Sequence, residues 1–203
     1  MTAAYLACLA LGYLIGSLSV SILISKYIFH QDVRTLGSGN AGAANAARTL
    51  GAGVGLLTLL GDFLKGVISM LLGSCLGGAT GLAIAGAACM IGHCFPIYFG
   101  FKGGKGILVS VAVLMTVEWI PACILLGIFI IVVALTRYVS LGSCIAAVCY
   151  PVTILVYSLI TGDPCVWINV ILSALIAVLI LFMHRGNLVR LKNHTEKKLG
   201  QKA

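Results

Sequence analysis

The run ILVSVAVLMTVEWIPACILLGIFIIVVAL, residues 107–135, decides the fold. It is a single apolar stretch interrupted only at Glu118, Trp119 and Pro121. That is too long for one comfortable membrane crossing and short of the roughly 40 residues that two full crossings need. Charge on its flanks arbitrates. If the run is a helical hairpin with its tip at Glu118 to Pro121, then Lys26, Arg34, Arg48, Lys102, Lys105, Arg137 and the Lys and Arg residues of the tail from Arg185 onward share one side. Glu118 and Asp163 take the other, and only Lys65 lies within a span. A single crossing strands Arg137 and the tail on the opposite face. Lys and Arg accumulate on the cytosolic side of membrane proteins, so the hairpin is the reading to adopt. It gives seven transmembrane or near-spanning helices, the two central ones short or tilted, with the N-terminus outside and the C-terminus cytosolic.

Composition agrees. Of the 203 residues 61% are hydrophobic and 9% charged, against about 25% charged in an ordinary soluble domain. The expectation is an all-α, polytopic integral membrane protein forming one domain over 1–203. The first apolar run, from about Ala3 to Ile28, exceeds the roughly 7–15 residues of a signal-peptide core and reads as a retained span. The net charge of +8 is accounted for by orientation and attraction to anionic lipid, so no nucleic-acid partner is expected. Eight cysteines are scattered through apolar segments without C-x-x-C pairs or metal-ligand spacing and read as small buried hydrophobes. A thiol nucleophile at Cys94 beside His93 is disfavoured, because neighbouring helical side chains diverge by about 100°.

The remaining segments follow in order: a small-residue loop over 30–49, an apolar segment from about Leu50 to Leu76, a third from Ala79 to Phe99, and others over Val139 to Ile160 and up to Met183. Asp62 and Lys65, three residues apart on the second segment, share a helix face and neutralise each other. Intramembrane charge is costly, so the pair either locks packing or supports a nearby site.

Three polar stretches then fall on the cytosolic side. GHCFPIYFGFKGGKG, residues 92–106, sets Lys102 and Lys105 among Gly103, Gly104 and Gly106. Glycines let backbone N–H groups close on an anion while lysines supply charge, although a basic turn obeying the positive-inside rule looks the same. In the first loop, Gly37 to Gly42 formally matches G-x-G-x-x-G. Flanking membrane segments exclude the dinucleotide-binding reading, which needs a strand before and a helix after. What remains is Ser38, Asn40, Asn45 and Arg48, donors suited to oxyanions or simply a linker. At the end of the last span His184 and Asn187 stand at i and i+3 with Arg185 beside them, a polar stop signal or a phosphate donor and proton shuttle.

Taken together, GSGNAGAANAAR from Gly37, DFLKG from Asp62, GHCFPIYFGFKGGKG from Gly92 and HRGNLVRLKNHTEKK from His184 closely resemble the bacterial acyl-phosphate:glycerol-3-phosphate acyltransferases, across essentially the whole chain and in the family's order. The resemblance implies transfer of a fatty acyl group from acyl phosphate to the 1-hydroxyl of sn-glycerol 3-phosphate. The products are lysophosphatidic acid and phosphate, made at the cytosolic face of the bacterial plasma membrane by a monomer without cofactor or metal. Ser38, Arg48, Lys105, His184 and Asn187 become the expected catalytic residues. Asn40, Asn45, Lys102, Gly103 and Gly104 become phosphate-binding, and Asp62, Lys65, His93 and Arg185 supporting. No His is followed five residues later by Asp, the pair used by many acyltransferases that take acyl-CoA or acyl carrier protein, which favours an acyl-phosphate donor. The chain departs from the pattern at Ala41 and Ala44, where the family carries Pro and Thr, and at Asn193-His194, where a Gly is usual. These departures keep a catalytically silent paralogue, alongside a small anion or phosphate transporter, as the alternatives.

Overall fold

Serines in the first apolar run mark where it bends. Helix α1 (Thr2–Gly16) and helix α2 (Val20–Tyr27) meet at 41°, so the expected single first span is a broken one. Ser17 Oγ donates back to the Tyr13 carbonyl at 2.8 Å. Leu18 lies outside both helices, which leaves its carbonyl for a side chain. The computed structural model describes residues 1–164 and 166–201, and these are helical with no strand among them.

The expected loop over 30–49 is half helix. Residues 30–42 hold one 3-10 turn, Val33–Thr35, in otherwise irregular chain, whereas Ala43–Leu50 form α3, ended by Gly51. The long helix α4 (Ala52–Cys94) is two arms, because Gly77 and Gly78 leave helical geometry, Gly78 with φ 60° and ψ −148°. That backbone region is open essentially to glycine alone. The arms fold back on each other: Gly73 meets the Gly81 backbone, Met70 meets Gly86, and Lys65 meets His93. Helix α1 packs along α4, with Gly12 and Gly16 against the backbone of Ala85 and Cys89. This is the small-residue contact that bilayer helices use when no hydrophobic drive brings them together. Helix α5 (Ile107–Val117) lays Val109 and Ala112 against Gly66 of the first arm.

The helices group into two compact units, Met1–Thr116 and Val117–Gln201. In the second, α7 (Val139–Thr161) packs against both α6 (Trp119–Thr136) and α8 (Val166–Met183), and α9 (Arg185–Lys192) follows α8 after a bend of 58°. The apolar run 107–135 breaks where charge predicts: Glu118 is extended between α5 and α6, and Pro121 sits in the first turn of α6.

Burial is the inverse of a water-soluble protein. Leu56, Leu57, Leu60, Leu64 and Leu71 are exposed on the first arm of α4, while Thr58, Asp62, Lys65 and Ser69 of the same arm are buried. Such a surface requires lipid. Among the described residues, three helices are long and apolar enough to cross a membrane by themselves, Ala52–Phe99, Trp119–Thr136 and Val139–Thr161. The first of these is the folded-back pair of arms. Two bent pairs and the shorter Ile107–Val117 make up the remainder.

The cysteines divide. Cys8, Cys89, Cys94 and Cys144 are buried as expected, but Cys75 and Cys123 are exposed on the apolar exterior and Cys149 is intermediate. A thiol is hydrophobic enough for that surface, so burial does not follow from its type. Cys165 lies outside the described residues.

Candidate functional site

In the first unit the site grows from Asn45, which is 2% exposed on α3. Its Nδ2 donates to the carbonyls of Val33, Leu36 and Asn40 at 3.0–3.1 Å, and its Oδ1 accepts from the Ser38 N–H at 2.8 Å. Both faces of the amide are consumed in holding the loop 33–40. Asn45, expected from the sequence to bind phosphate, here staples the loop. It leaves Ser38 exposed and Asn40 half-exposed at the loop's outer edge. Arg48, one turn further along α3, is half-buried and has no hydrogen-bond or ion-pair partner among the described residues.

Arg34, which the sequence reading passed over, ties this loop to the lysine-glycine turn. Its Nε and Nη2 grip both oxygens of Asp32 at 3.0 and 2.8 Å, while Nη1 donates to the carbonyls of Phe99 at 2.6 Å and Lys102 at 3.1 Å. One planar guanidinium thus spans both segments. The hydrogen bond from Arg34 holds the Asp32 carboxyl far below the usual carboxylate range, and the same bond raises the Arg34 guanidinium.

The turn differs from expectation in how it uses its backbone. The Gly103 N–H donates to the Cys94 carbonyl at 3.2 Å and the Gly104 N–H to the His93 carbonyl at 3.0 Å. Both amides expected to face an anion instead satisfy the last carbonyls of α4. Positive φ falls at Gly100, Phe101 and Gly106, not at Gly103 or Gly104. Of the lysines in the turn, Lys102 is exposed and Lys105 half-buried.

Behind the turn lies a buried polar cluster. Lys65 Nζ is 2.7 Å from Asp62 Oδ1, 2.8 Å from the Leu18 carbonyl and 2.9 Å from His93 Nδ1. All three residues are under 10% exposed. The ammonium hydrogen-bonds to the Leu18 carbonyl and His93 Nδ1, and the Asp62 carboxylate beside it balances its charge through an ion-pair contact, so a charge that is costly in lipid is matched. The His93 ring lies against Gly104.

The second unit carries its own cluster. His184, 3% exposed, caps the start of α9 with Nδ1 2.8 Å from the Ile180 carbonyl. A carbonyl only accepts, so Nδ1 bears a proton. Asn187 Nδ2 donates to Glu196 Oε1 at 2.6 Å; Ser140 Oγ reaches the same oxygen at 2.8 Å, and Arg190 Nε donates to Oε2 at 2.7 Å. Burial would raise the Glu196 carboxyl, but these three hydrogen bonds and the Arg190 charge outweigh it and hold it below its ordinary value. Arg185 is exposed, with its guanidinium 4.4 Å over the Phe182 ring and donating to the Phe182 carbonyl. Its contacts are therefore with Phe182 rather than with His184 or Asn187. Glu196 and Ser140 were missed. The one signal for Glu196 was a lone carboxylate in a basic tail, whereas nothing local marks Ser140.

Comparison with known proteins adds the same family throughout. The family model of glycerol-3-phosphate acyltransferases matches residues 6–194. Curated glycerol-3-phosphate acyltransferases from Finegoldia magna and Shouchella clausii are 44% and 43% identical, covering 97% and 100% of this chain and 98% and 99% of their own lengths. A crystal structure of PlsY, an integral membrane glycerol 3-phosphate acyltransferase in its glycerol 3-phosphate form, superposes with a TM-score of 0.85 at 33% identity, covering 97% of this chain and 96% of that one. The lysophosphatidic acid form gives 0.82 at 32%, with 97% and 95% covered. An all-helical membrane architecture, four motifs in order and agreement over nearly the full length lead to one conclusion: the chain belongs to the glycerol-3-phosphate acyltransferase family.

Proposed function

We propose that this chain, as one membrane-embedded acyltransferase domain over 1–203, transfers a fatty acyl group from acyl phosphate to the 1-hydroxyl of sn-glycerol 3-phosphate. The observation that carries the reading is the Arg34 tie, which makes the loop bearing Ser38 and Arg48 and the turn bearing Lys102 and Lys105 parts of one assembly. Both substrates present phosphate, and a solved relative has been crystallised with the acceptor and with the acylated product. The family name leaves the donor open. The absence from the sequence of a His with an Asp five residues later supports acyl phosphate, a mixed anhydride whose phosphate leaves readily.

In the reaction the acceptor hydroxyl oxygen attacks the acyl carbonyl carbon and the bond from that carbon to the phosphate oxygen breaks. Inorganic phosphate departs, and the hydroxyl proton passes to the phosphate of glycerol 3-phosphate or to Nε2 of His184. Positioning and charge stabilisation are the main demands. Lys105 stabilises the departing phosphate. Ser38, Arg48 and Lys102 hold phosphate oxygens, and Asn187 acts with His184. The Lys and Arg distribution supports a cytosolic face for these groups, and the reading takes the protein as a monomer in membrane lipid.

The test is phosphate release from palmitoyl phosphate by the purified protein in lipid, with and without glycerol 3-phosphate. Acceptor-dependent release that falls at least about a hundredfold in Lys105→Ala is expected. If His184→Ala keeps most of its turnover while Lys105→Ala loses it, the substrate phosphate takes the proton. Release from acyl-CoA alone would overturn the donor. Binding of glycerol 3-phosphate without any release would point to a transporter or a silent paralogue.

A further inference from the structure

Gly104 and His93 share one small volume. A Cβ at position 104 would overlap Nε2 of the His93 ring, and Cε1 and Cδ2 lie just beyond. Position 103 is equally crowded, but there the obstruction is the His93 backbone carbonyl and Pro96. The turn therefore rests on the imidazole at 104 and on main chain at 103.

The ring is fixed from behind. Nδ1 lies 2.9 Å from Lys65 Nζ. The same Nδ1 is 3.5 Å from Asp62 Oδ1, so both members of the ion pair hold that edge of the ring, and Nε2 is the atom facing Gly104. Lys65 is itself held by Asp62 and by the Leu18 carbonyl released at the bend between α1 and α2. A continuous chain of contacts thus runs from the first span through the buried ion pair and the imidazole to the turn that bears Lys102 and Lys105.

We propose that His93 is a positioning residue for this turn: its imidazole, oriented by Lys65 and Asp62, is the floor on which Gly104 rests, and a missing side chain at 104 sets the height of Lys102 and Lys105 above the membrane helices. The ion pair then does more than close a packing gap, because it sets the orientation of the ring. The role deepens the acyltransferase reading and rests on it only for which anion the lysines meet.

A steric exchange tests it. Gly104→Ala, Gly103→Ala and His93→Asn are compared singly and as the doubles Gly104→Ala/His93→Asn and Gly103→Ala/His93→Asn. Asn retains an oxygen near the Nδ1 position for Lys65 but removes the far side of the ring. Gly104→Ala is expected to raise KM for glycerol 3-phosphate at least about tenfold, with a smaller change in kcat. The second substitution should bring that KM back to within about threefold of His93→Asn alone, while Gly103→Ala, which meets backbone, is not rescued. Additive effects at position 104, or equal rescue at 103, overturn the proposal. His93→Gln, whose flexible chain can move aside, replaces His93→Asn if that variant fails to fold. The same cycle is read without turnover from the rise in unfolding temperature produced by glycerol 3-phosphate and by inorganic phosphate. Wild-type protein that binds with the expected coupling but releases no phosphate refutes acyl transfer and leaves the positioning role standing. Wild-type protein that neither binds nor turns over overturns both.

Discussion

Replacing Asn45 by Asp changes one nitrogen to oxygen, yet it should damage the loop more than replacement by Ala. In the wild type Nδ2 serves three carbonyls and Oδ1 serves the Ser38 N–H. Ala deletes these four contacts at a site that is 2% exposed; at about 0.5–1.5 kcal/mol for each, the loss is about 2–6 kcal/mol. Asp keeps the acceptor for Ser38 but sets carboxylate oxygen against the carbonyls of Val33, Leu36 and Asn40. That adds repulsion and the cost of a buried unpaired charge. For a chain of this length each kcal/mol lowers the unfolding temperature by about 2–4 °C, so Asn45→Asp should melt at least about 6 °C below the wild type in the same detergent. Hydrogen exchange at the Ser38 amide supplies the local reading if the loop opens without global unfolding. Were Asn45 a phosphate ligand instead, Asp would raise KM and leave both stability measures untouched. That outcome would refute the staple.

Arg34→Ala should raise KM for both phosphate-bearing substrates by about 5–100-fold, the equivalent of about 1–3 kcal/mol for lost charge-assisted bonds. Arg34→Lys should recover little, because an ammonium cannot grip both Asp32 oxygens and also span the Phe99 and Lys102 carbonyls; KM values within twofold of wild type in Arg34→Ala would sink the idea. Glu196 is held below its ordinary value, so its contribution to stability is fully present above the ordinary value of 4.5 and is lost as pH falls through the lower folded value. Between pH 7 and 3 the unfolding temperature of wild type should therefore drop more steeply than that of Glu196→Gln, and parallel curves would count against the carboxylate as the tail's anchor.

The membrane character and the segment order were legible because they are properties of long stretches. Charge on either side of 107–135 located the break at Glu118 without reference to any contact. The Asp62–Lys65 pair was also readable, since i,i+3 spacing is local. What escaped was the use of polar groups by partners far away in sequence. Arg34 read as one more cytosolic positive charge, but its partners include carbonyls 65 and 68 residues further on. Gly103 and Gly104 suggested anion-facing amides, which folding back onto the end of α4 consumes. Asn45 has donors and acceptors in the right number for a ligand, and only the path of the loop around it shows that they are spent. The GxxxG pair Gly12 and Gly16 could have been noticed as a helix contact; its partners Ala85 and Cys89 could not.

The two departures from the family pattern in the first loop differ in what they remove. Ala41 is 1% exposed and contributes a carbonyl that accepts from Ser21 Oγ at 2.6 Å. A proline there supplies the same carbonyl, so the replacement costs backbone rigidity in the unfolded chain rather than a contact in the folded one. Ala44 is exposed in the first turn of α3, and a threonine hydroxyl lost from that position leaves no buried group without a partner. The frame that holds Ser38 runs through Asn45, and the tie to the turn runs through Arg34; neither passes through position 41 or 44. Beyond that unfolded-state term at 41, an effect of these alanines should accordingly be confined to whatever a hydroxyl at 44 offers a bound phosphate. Restoring it by Ala44→Thr should change donor KM while leaving the unfolding temperature where it was.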